Sequence, residues 1–223
     1  MVLGADLSIA GLRFVITAGG TREPIDPVRY LGNRSSGKMG NELAAAAIRR
    51  GATVTLVTAG LQPAAQPGLE VVPVETAEEM YAAVRAALEG ARVLVMAAAV
   101  ADWRPREVAG EKLKKGASTM TLELVPTVDI LRALRDDAAA AKVFRVGFAA
   151  ETEHVIDHAR RKLTDKGLDL IIVNDVSQPG IGMGADDNEV TVIDRDGGSH
   201  TIDRATKTVV AEAIVDIIAR RLS

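Results

Sequence analysis

Cysteine is absent from this chain. That excludes disulfides, thiolate nucleophiles and cysteine-ligated metal, and it fits the cytosol, so a cytoplasmic location is expected. Aromatic residues are scarce, with three Phe, two Tyr and one Trp, too few to stack along a single nucleic-acid strand. Neither sign of charge dominates, since 27 basic side chains are balanced by 30 acidic ones. Without a strong overall field, neither nucleic acid nor an anionic membrane is an expected partner, and any anion site must be built locally. No apolar run approaches the roughly 20 residues of a membrane-spanning helix. The opening MVLGADLSIAGLRF lacks a basic region followed by an apolar stretch, so no signal peptide is expected. Also missing are a Ser-His-Asp order and an SxxK pattern, which favours a reaction without a covalent enzyme intermediate. What is there is 48% hydrophobic residues over 223 positions, enough for the core of one domain, 1–223.

Short apolar runs alternate with amphipathic, Ala-rich segments, the pattern of βαβ units on a parallel sheet. Strands are predicted at 12–17, 53–57, 69–73, 92–96, 120–125, 143–147 and 168–173. Helices are predicted at 38–50, 76–89, 128–140, 151–166 and 204–222. Gly51 closes the first helix, and Thr76 with Glu79 has the spacing of a capping box. Alternation over 189–194 followed by Asp196-Gly197 predicts a hairpin. Right-handed crossovers place helices on both faces of such a sheet, and ligands bind beyond the carboxyl ends of its strands. The loops after Thr17, Met96, Gly147 and Val173 all lie at that edge, and they carry the unusual sequence.

The first of them is AGGTREPIDPVRYLGNRSSGKMG. Gly19 and Gly20 permit a backbone approach that a Cβ would obstruct, and Ser35-Ser36-Gly37 opens the helix at Lys38, where free N–H groups attract anions. The alternative is a plain turn. GNRSSGK mimics a P-loop, but Met39 stands where a metal-binding Ser or Thr is needed, and the motif lies too far beyond its strand. The dinucleotide fingerprint G-x-G-x-x-G is absent after the first strand, which argues against an NAD(P)-dependent oxidoreductase. In MAAAVADWRP, small side chains leave room for a ligand and Asp102 can accept from it, or Asp102 is simply an N-cap. Lys112, Lys114 and Lys115 read as a solvated loop or as mobile cations that neutralise developing phosphoryl charge. Lys162 and Lys166 share a helix face and repel unless an anion lies between them; a solvated surface is the other reading. His154 and His158 have the same spacing, but without HExxH they read as a surface pair. Asp186-Asp187-Asn188-Glu189 reads as a turn, because EF-hand spacing is missing.

Taken together, ITAGGTREPIDPVRYLGNRSSGKMG, AAVADWRP, EKLKK, GFAAET and NDVSQPG resemble the phosphopantothenate–cysteine ligase family of coenzyme A biosynthesis. The similarity runs from about Gly11 to the last helix. It implies an α/β fold with a Rossmann-like, doubly wound, mainly parallel sheet, a mobile flap and a C-terminal hairpin. It also implies a homodimer that activates 4′-phosphopantothenate as an acyl-nucleotide, releases pyrophosphate, and lets L-cysteine displace the nucleotide. By the same resemblance Asn33 holds the acyl-nucleotide, Arg29 reaches the substrate of the partner subunit, and Lys112 is the flap lysine tied to the chemistry. Ala98, Ala99 and Asp102 line substrate and nucleotide, while Gly19, Ser35, Gly37 and Gly40 match triphosphate contacts. Val128, Asp129, Ile130, Leu131, Phe148, Lys162 and Lys166 match the nucleotide set of bacterial enzymes, which use CTP. TVDI stands here for the more familiar NPDI, and Arg34 where relatives often carry His. Magnesium is the implied cofactor, with no ligands assigned. Because DLSIAGLRF resembles the stretch that follows a flavin-dependent decarboxylase in bifunctional relatives, residues 1–10 are expected to be a linker remnant, and fusion to or association with that decarboxylase is implied; a stand-alone enzyme is the alternative. A non-catalytic nucleotide-sensing module remains the rival from another class.

Overall fold

The computed structural model describes residues 9–116, 119–151, 155–175 and 184–222. The chain opens with β1 (Arg13–Gly19), a three-residue pair β2 (Arg22–Pro24) and β3 (Tyr30–Gly32), and helix α1 (Lys38–Arg49). Strands β4 (Thr53–Ala59) and β5 (Leu69–Pro73) lead to α2 (Ala77–Ala87), then β6 (Val93–Met96) and a second short pair, β7 (Trp103–Pro105) and β8 (Leu124–Pro126). After α3 (Ile130–Leu134) come β9 (Phe144–Glu151), α4 (Val155–Asp165) and β10 (Leu170–Asp175). The chain then closes with β11 (Asp187–Asp194), β12 (Ser199–Thr206) and α5 (Lys207–Leu222).

Eight strands form one sheet in the order β12-β11-β10-β9-β6-β1-β4-β5. From β10 to β5 the pairing is parallel, and β11 and β12 join antiparallel. The chain runs outward from β1 through β4 to β5, then returns to the other flank of β1 as β6. That reversal opens a crevice at the carboxyl ends of β1 and β6, where a doubly wound sheet takes its ligand. Period-two alternation divides the core. Phe14, Ile16, Val54, Leu56 and Leu170 pack under α1 and α5, whereas Val15, Val57, Leu94 and Ile171 pack under α2, α3 and α4. Each fully buried aliphatic side chain contributes roughly 1.5–3 kcal/mol.

The α1–α5 contact also carries charge. Arg50, 9% exposed, donates to Glu212 and, at 2.6 Å, to Asp216. Burial is the largest influence on its guanidinium and works against the charge, but the two carboxylates together outweigh it and raise the arginine pKa. For Glu212 desolvation is again the largest single influence, and Arg49 and Arg50 overcome it to hold the carboxyl below its ordinary value.

The sheet, the Thr76–Glu79 capping box and the hairpin at Asp196-Gly197 agree with the sequence reading; Asp194 closes that turn by accepting from the Asp196 and Gly198 amides. Other expectations are corrected. The helix expected over 128–140 stops at Leu134, and a separate turn, Ala138–Ala140, begins where Asp137 accepts from the Ala139 amide. The strand expected over 120–125 shrinks to β8, paired with the unforeseen β7. Residues 204–206 belong to β12 rather than to α5, and Asp187, Asn188 and Glu189 belong to β11 rather than to a turn. Among the described residues no helix is long and apolar enough to cross a membrane.

Candidate active site

Two buried threonines build the floor of the crevice. Thr17 Oγ1 accepts from the Ala98 amide at 3.0 Å, and Thr21 Oγ1 accepts from the Ala101 amide at 2.8 Å. Between them the Ala99 amide donates to the Gly19 carbonyl and the Thr21 amide to the Ala99 carbonyl. The small-residue run after β6 is therefore stitched along the continuation of β1, and the side chains of Ala97, Ala98 and Ala99 are only partly buried. Asn33, beyond β3, donates through Nδ2 to the carbonyls of Ala99 and Val100 at 3.1 and 3.2 Å. The Asn33 side chain is thus fixed over the same run. Asp102 caps no helix; it is exposed and followed by β7.

The start of α1 borders this floor. Gly37 sits at the N-cap with φ +83° and offers no side chain, so the leading amides of the helix are left for an anion. Gly40 brings α1 close to the sheet: a Cβ there would lie 2.6 Å from Ala18 Cβ and 2.7 Å from the Thr17 carbonyl oxygen. Gly19, at φ +83°, is packed against the Gly60 backbone in the same way.

A cavity of about 580 Å³ opens beside Asn33, Ala98, Ala99 and Asp102. Its opposite wall is Val128, Asp129, Ile130 and Leu131 at the start of α3, with Phe148, Lys162 and Lys166 completing it. Asp129 accepts from the Arg132 amide as the N-cap of α3 and pairs with Lys166 at 3.1 Å. The structure thus gathers eleven residues singled out from the sequence into one concave surface, of a size suited to a nucleotide. A second cavity, about 150 Å³, lies against Ser35 and Met39 and includes Asn188 and Lys207. Gly19, Gly37 and Gly40 shape the backbone between β1 and α1 and are not lining residues of either cavity.

Residues 9–222 match the DNA/pantothenate metabolism flavoprotein C-terminal domain family. The chain belongs to that family. It is 45% identical, over 96% of its length, to the coenzyme A biosynthesis bifunctional protein CoaBC of Mycobacterium tuberculosis, and spans 54% of that protein. Among solved structures it is similar to the C-terminal domain of a CoaBC protein, with a TM-score of 0.81 and 37% identity over 96% of this chain and 97% of that one. It shares its fold with a Cab2 mutant in complex with phosphopantothenate-cysteine, at a TM-score of 0.75 and 20% identity over 94% of this chain and 86% of that one.

Arg29 and Lys112 stand apart from the large cavity. Arg29 lies in the turn between β2 and β3, where Nε donates to Asp26 at 3.0 Å and a terminal nitrogen donates to the Leu113 carbonyl at 2.9 Å. Asp26 is buried and also accepts from the amides of Val28, Arg29 and Leu113. The Arg29 guanidinium, aided by those amides against desolvation, holds the Asp26 carboxyl well below the usual carboxylate range. Lys112 is exposed beside Leu113, on the excursion between β7 and β8. Sequence reasoning missed Asp26, Thr17, Thr21, Asn188 and Lys207. Asp26-Pro27 announces a turn, but nothing local marks a carboxylate that will reach a segment so distant in the chain. His154 and most of NDVSQPG lie outside the described residues.

Proposed function

We propose that this chain is a phosphopantothenate–cysteine ligase. It joins 4′-phosphopantothenate to L-cysteine through an acyl-cytidylate, yielding 4′-phosphopantothenoylcysteine, CMP and pyrophosphate. The observation that carries the reading is the large cavity. It brings an asparagine-fixed, small-residue wall together with two lysines and the start of α3. Family membership and the Cab2 complex support the same substrate class.

In the first step the pantothenate carboxylate attacks the α-phosphorus and pyrophosphate leaves. Two anions must meet, so charge neutralisation and positioning dominate the barrier. Lys162 and Lys166 supply fixed positive charge, and Lys112, on the flap, supplies a cation at the reacting phosphoryl group. Among the described residues no three acidic or His side chains cluster to cage a metal. Magnesium carried on a triphosphate needs only one or two protein carboxylates, and Asp102, exposed on the cavity wall, would supply one. The ion, when bound, screens the phosphates. In the second step the cysteine amine attacks the acyl carbon, the acyl–oxygen bond breaks, and the nucleotide leaves with the electron pair.

A cytoplasmic homodimer completes the proposal. Val28, Tyr30, Trp103 and Leu124, between 40% and 60% exposed, gather large apolar side chains on the β2–β3 and β7–β8 arms. Arg29 stands on the first arm, outside the cavity that Asn33 serves, as expected of a residue given to a neighbour's site.

The test is pyrophosphate and CMP release from purified protein with magnesium, CTP, 4′-phosphopantothenate and L-cysteine, compared with each other nucleoside triphosphate. Turnover dependent on both substrates is expected. ATP clearly outperforming CTP would overturn the nucleotide assignment. Binding without pyrophosphate release from any triphosphate would make the chain a nucleotide sensor.

A further inference from the structure

The smaller cavity shares Ala98, Ala99, Phe148 and Ala149 with the large one, so the two meet at the wall that Asn33 holds. Its far end is polar and shielded from water: Asn188 is 4% exposed and Lys207 7%. Asn188 sits where the register of β11 on β12 shifts. Its Oδ1 is buried without a hydrogen-bond partner, and its Nδ2 faces the Met39 thioether at 3.9 Å. A buried acceptor left unpaired is costly, so this oxygen is set for a donor that a ligand brings. Lys207, the first residue of α5, donates to the Ala185 carbonyl at 2.5 Å. The nearby Asp186 is drawn onto Lys38 at 2.6 Å. Burial, with help from Lys38 and against Asp186, lowers the pKa of Lys207, a cost that a bound anion would offset.

A fitting ligand must therefore carry both an N–H donor and an anion, fill about 150 Å³, and present a soft or apolar group to Met39, Ala97 and Phe148. We propose that this cavity is the subsite for the amino-acid co-substrate, with the α-carboxylate of L-cysteine toward Lys207 and its amine on Asn188 Oδ1. The proposal rests on the ligase reading above. Pyrophosphate, the other small anion of that reaction, presents mainly acceptors near neutral pH and would leave Oδ1 unpaired. The thiol meets Met39 and Phe148, where a polarisable sulfur is well received. An acceptor is also the right partner for an amine that must attack. It engages an N–H and leaves the lone pair free to form the C–N bond, while the acyl–oxygen bond breaks, the electron pair departs on the nucleotide phosphate, and the amine's surplus proton passes to water.

The test uses Lys207→Met and Asn188→Leu in the full chain, with two measurements. One is the KM for L-cysteine in the complete reaction. The other is the single-turnover release of pyrophosphate from CTP, magnesium and 4′-phosphopantothenate without cysteine. Each variant should raise the cysteine KM by at least about tenfold, the loss of one hydrogen bond to a charged or attacking group. The cysteine-free burst should stay within about twofold of the unsubstituted protein. Asn188→Leu, which roughly conserves volume and removes no charge, decides the matter if Lys207→Met fails to fold. A lost burst, or a raised KM for CTP with that for cysteine unchanged, would assign the cavity to the phosphates and overturn the proposal. A normal burst with an unchanged cysteine KM would also overturn it, and would leave the ligase reading standing. No burst from the unsubstituted protein with any triphosphate would overturn both.

Discussion

Replacing Gly19 by alanine tests whether backbone crowding, rather than side-chain chemistry, sets the shape of the nucleotide edge. Gly19 has φ +83°, and an added Cβ would lie 2.4 Å from the Gly60 nitrogen and 2.7 Å from the Ala59 carbonyl carbon. Both are backbone atoms, so no side chain can rotate away. The left-handed conformation costs alanine about 1–2 kcal/mol, and forced overpacking about 1–3 kcal/mol. Reduced freedom of the unfolded chain offsets roughly 0.4–1 kcal/mol. The net loss is about 3 kcal/mol, which for a chain of this size lowers Tm by about 6–12 °C. Gly90 supplies the control: its φ is +72°, but nothing lies within 4 Å of the point where a Cβ would stand. Gly90→Ala should therefore lower Tm by no more than about 4 °C. Calorimetry with parallel urea titrations measures both, an unchanged m-value showing that the transition itself is unaltered. Equal shifts for the two variants would refute the reasoning, because they would mean that β1 and the β4 end yield freely.

Three further outcomes are expected. Lys112→Ala should melt like the unsubstituted protein yet slow kcat by at least about 10²-fold, as when a charge contact to the transition state is lost; an unchanged kcat would return residues 111–116 to a solvated loop. Arg29→Ala and Asn33→Ala should each be nearly inactive, and subunit exchange between them should restore roughly a quarter of full activity, because half the dimers are mixed and each mixed dimer holds one intact site; no recovery, once mass spectrometry shows heterodimers, would put both residues in one site. Asp26, Asp137, Asp186 and Glu212 all have folded pKa values below their ordinary 3.8 or 4.5. Their contribution is therefore complete above the unfolded values and is lost as pH falls through the folded ones. Tm should hold down to about pH 5 and decline below about pH 4.5, and a Tm that does not fall between about pH 5 and pH 3 would contradict it.

What the sequence made legible was whatever is encoded locally. Period-two runs gave the parallel strands, Thr76 and Glu79 gave a helix start, and Asp196-Gly197 gave a turn, because each signal acts within a few residues. Chain order and unusual loop sequence together pointed the candidate site to one edge of the sheet, where βα loops collect. Pairings across long separations stayed hidden: β2 with β3 and β7 with β8 are too short for any alternation to show. Asn188 looked like part of an acidic turn, and nothing local singled out Lys207. Their burial is a tertiary fact, set by the pairing of β11 within the sheet and the packing of α5 against it. For Asp102 the residues alone left cap and ligand contact open, because both use the same carboxylate.

The grip of Asp26 on the Leu113 amide also has a meaning in polymer terms. Residues 106–116 lead away from β7 and residues 119–123 lead into β8, and the Arg106 amide donates to the Glu123 carbonyl at the base of this excursion. A tether near the middle divides one long loop into two short ones, and the Ala109 amide on the Ile25 carbonyl shortens the first again. Closure entropy rises with loop length, so each shorter closure costs less to form once Leu113 is held. Lys112 thereby stands one residue from a fixed point of the chain.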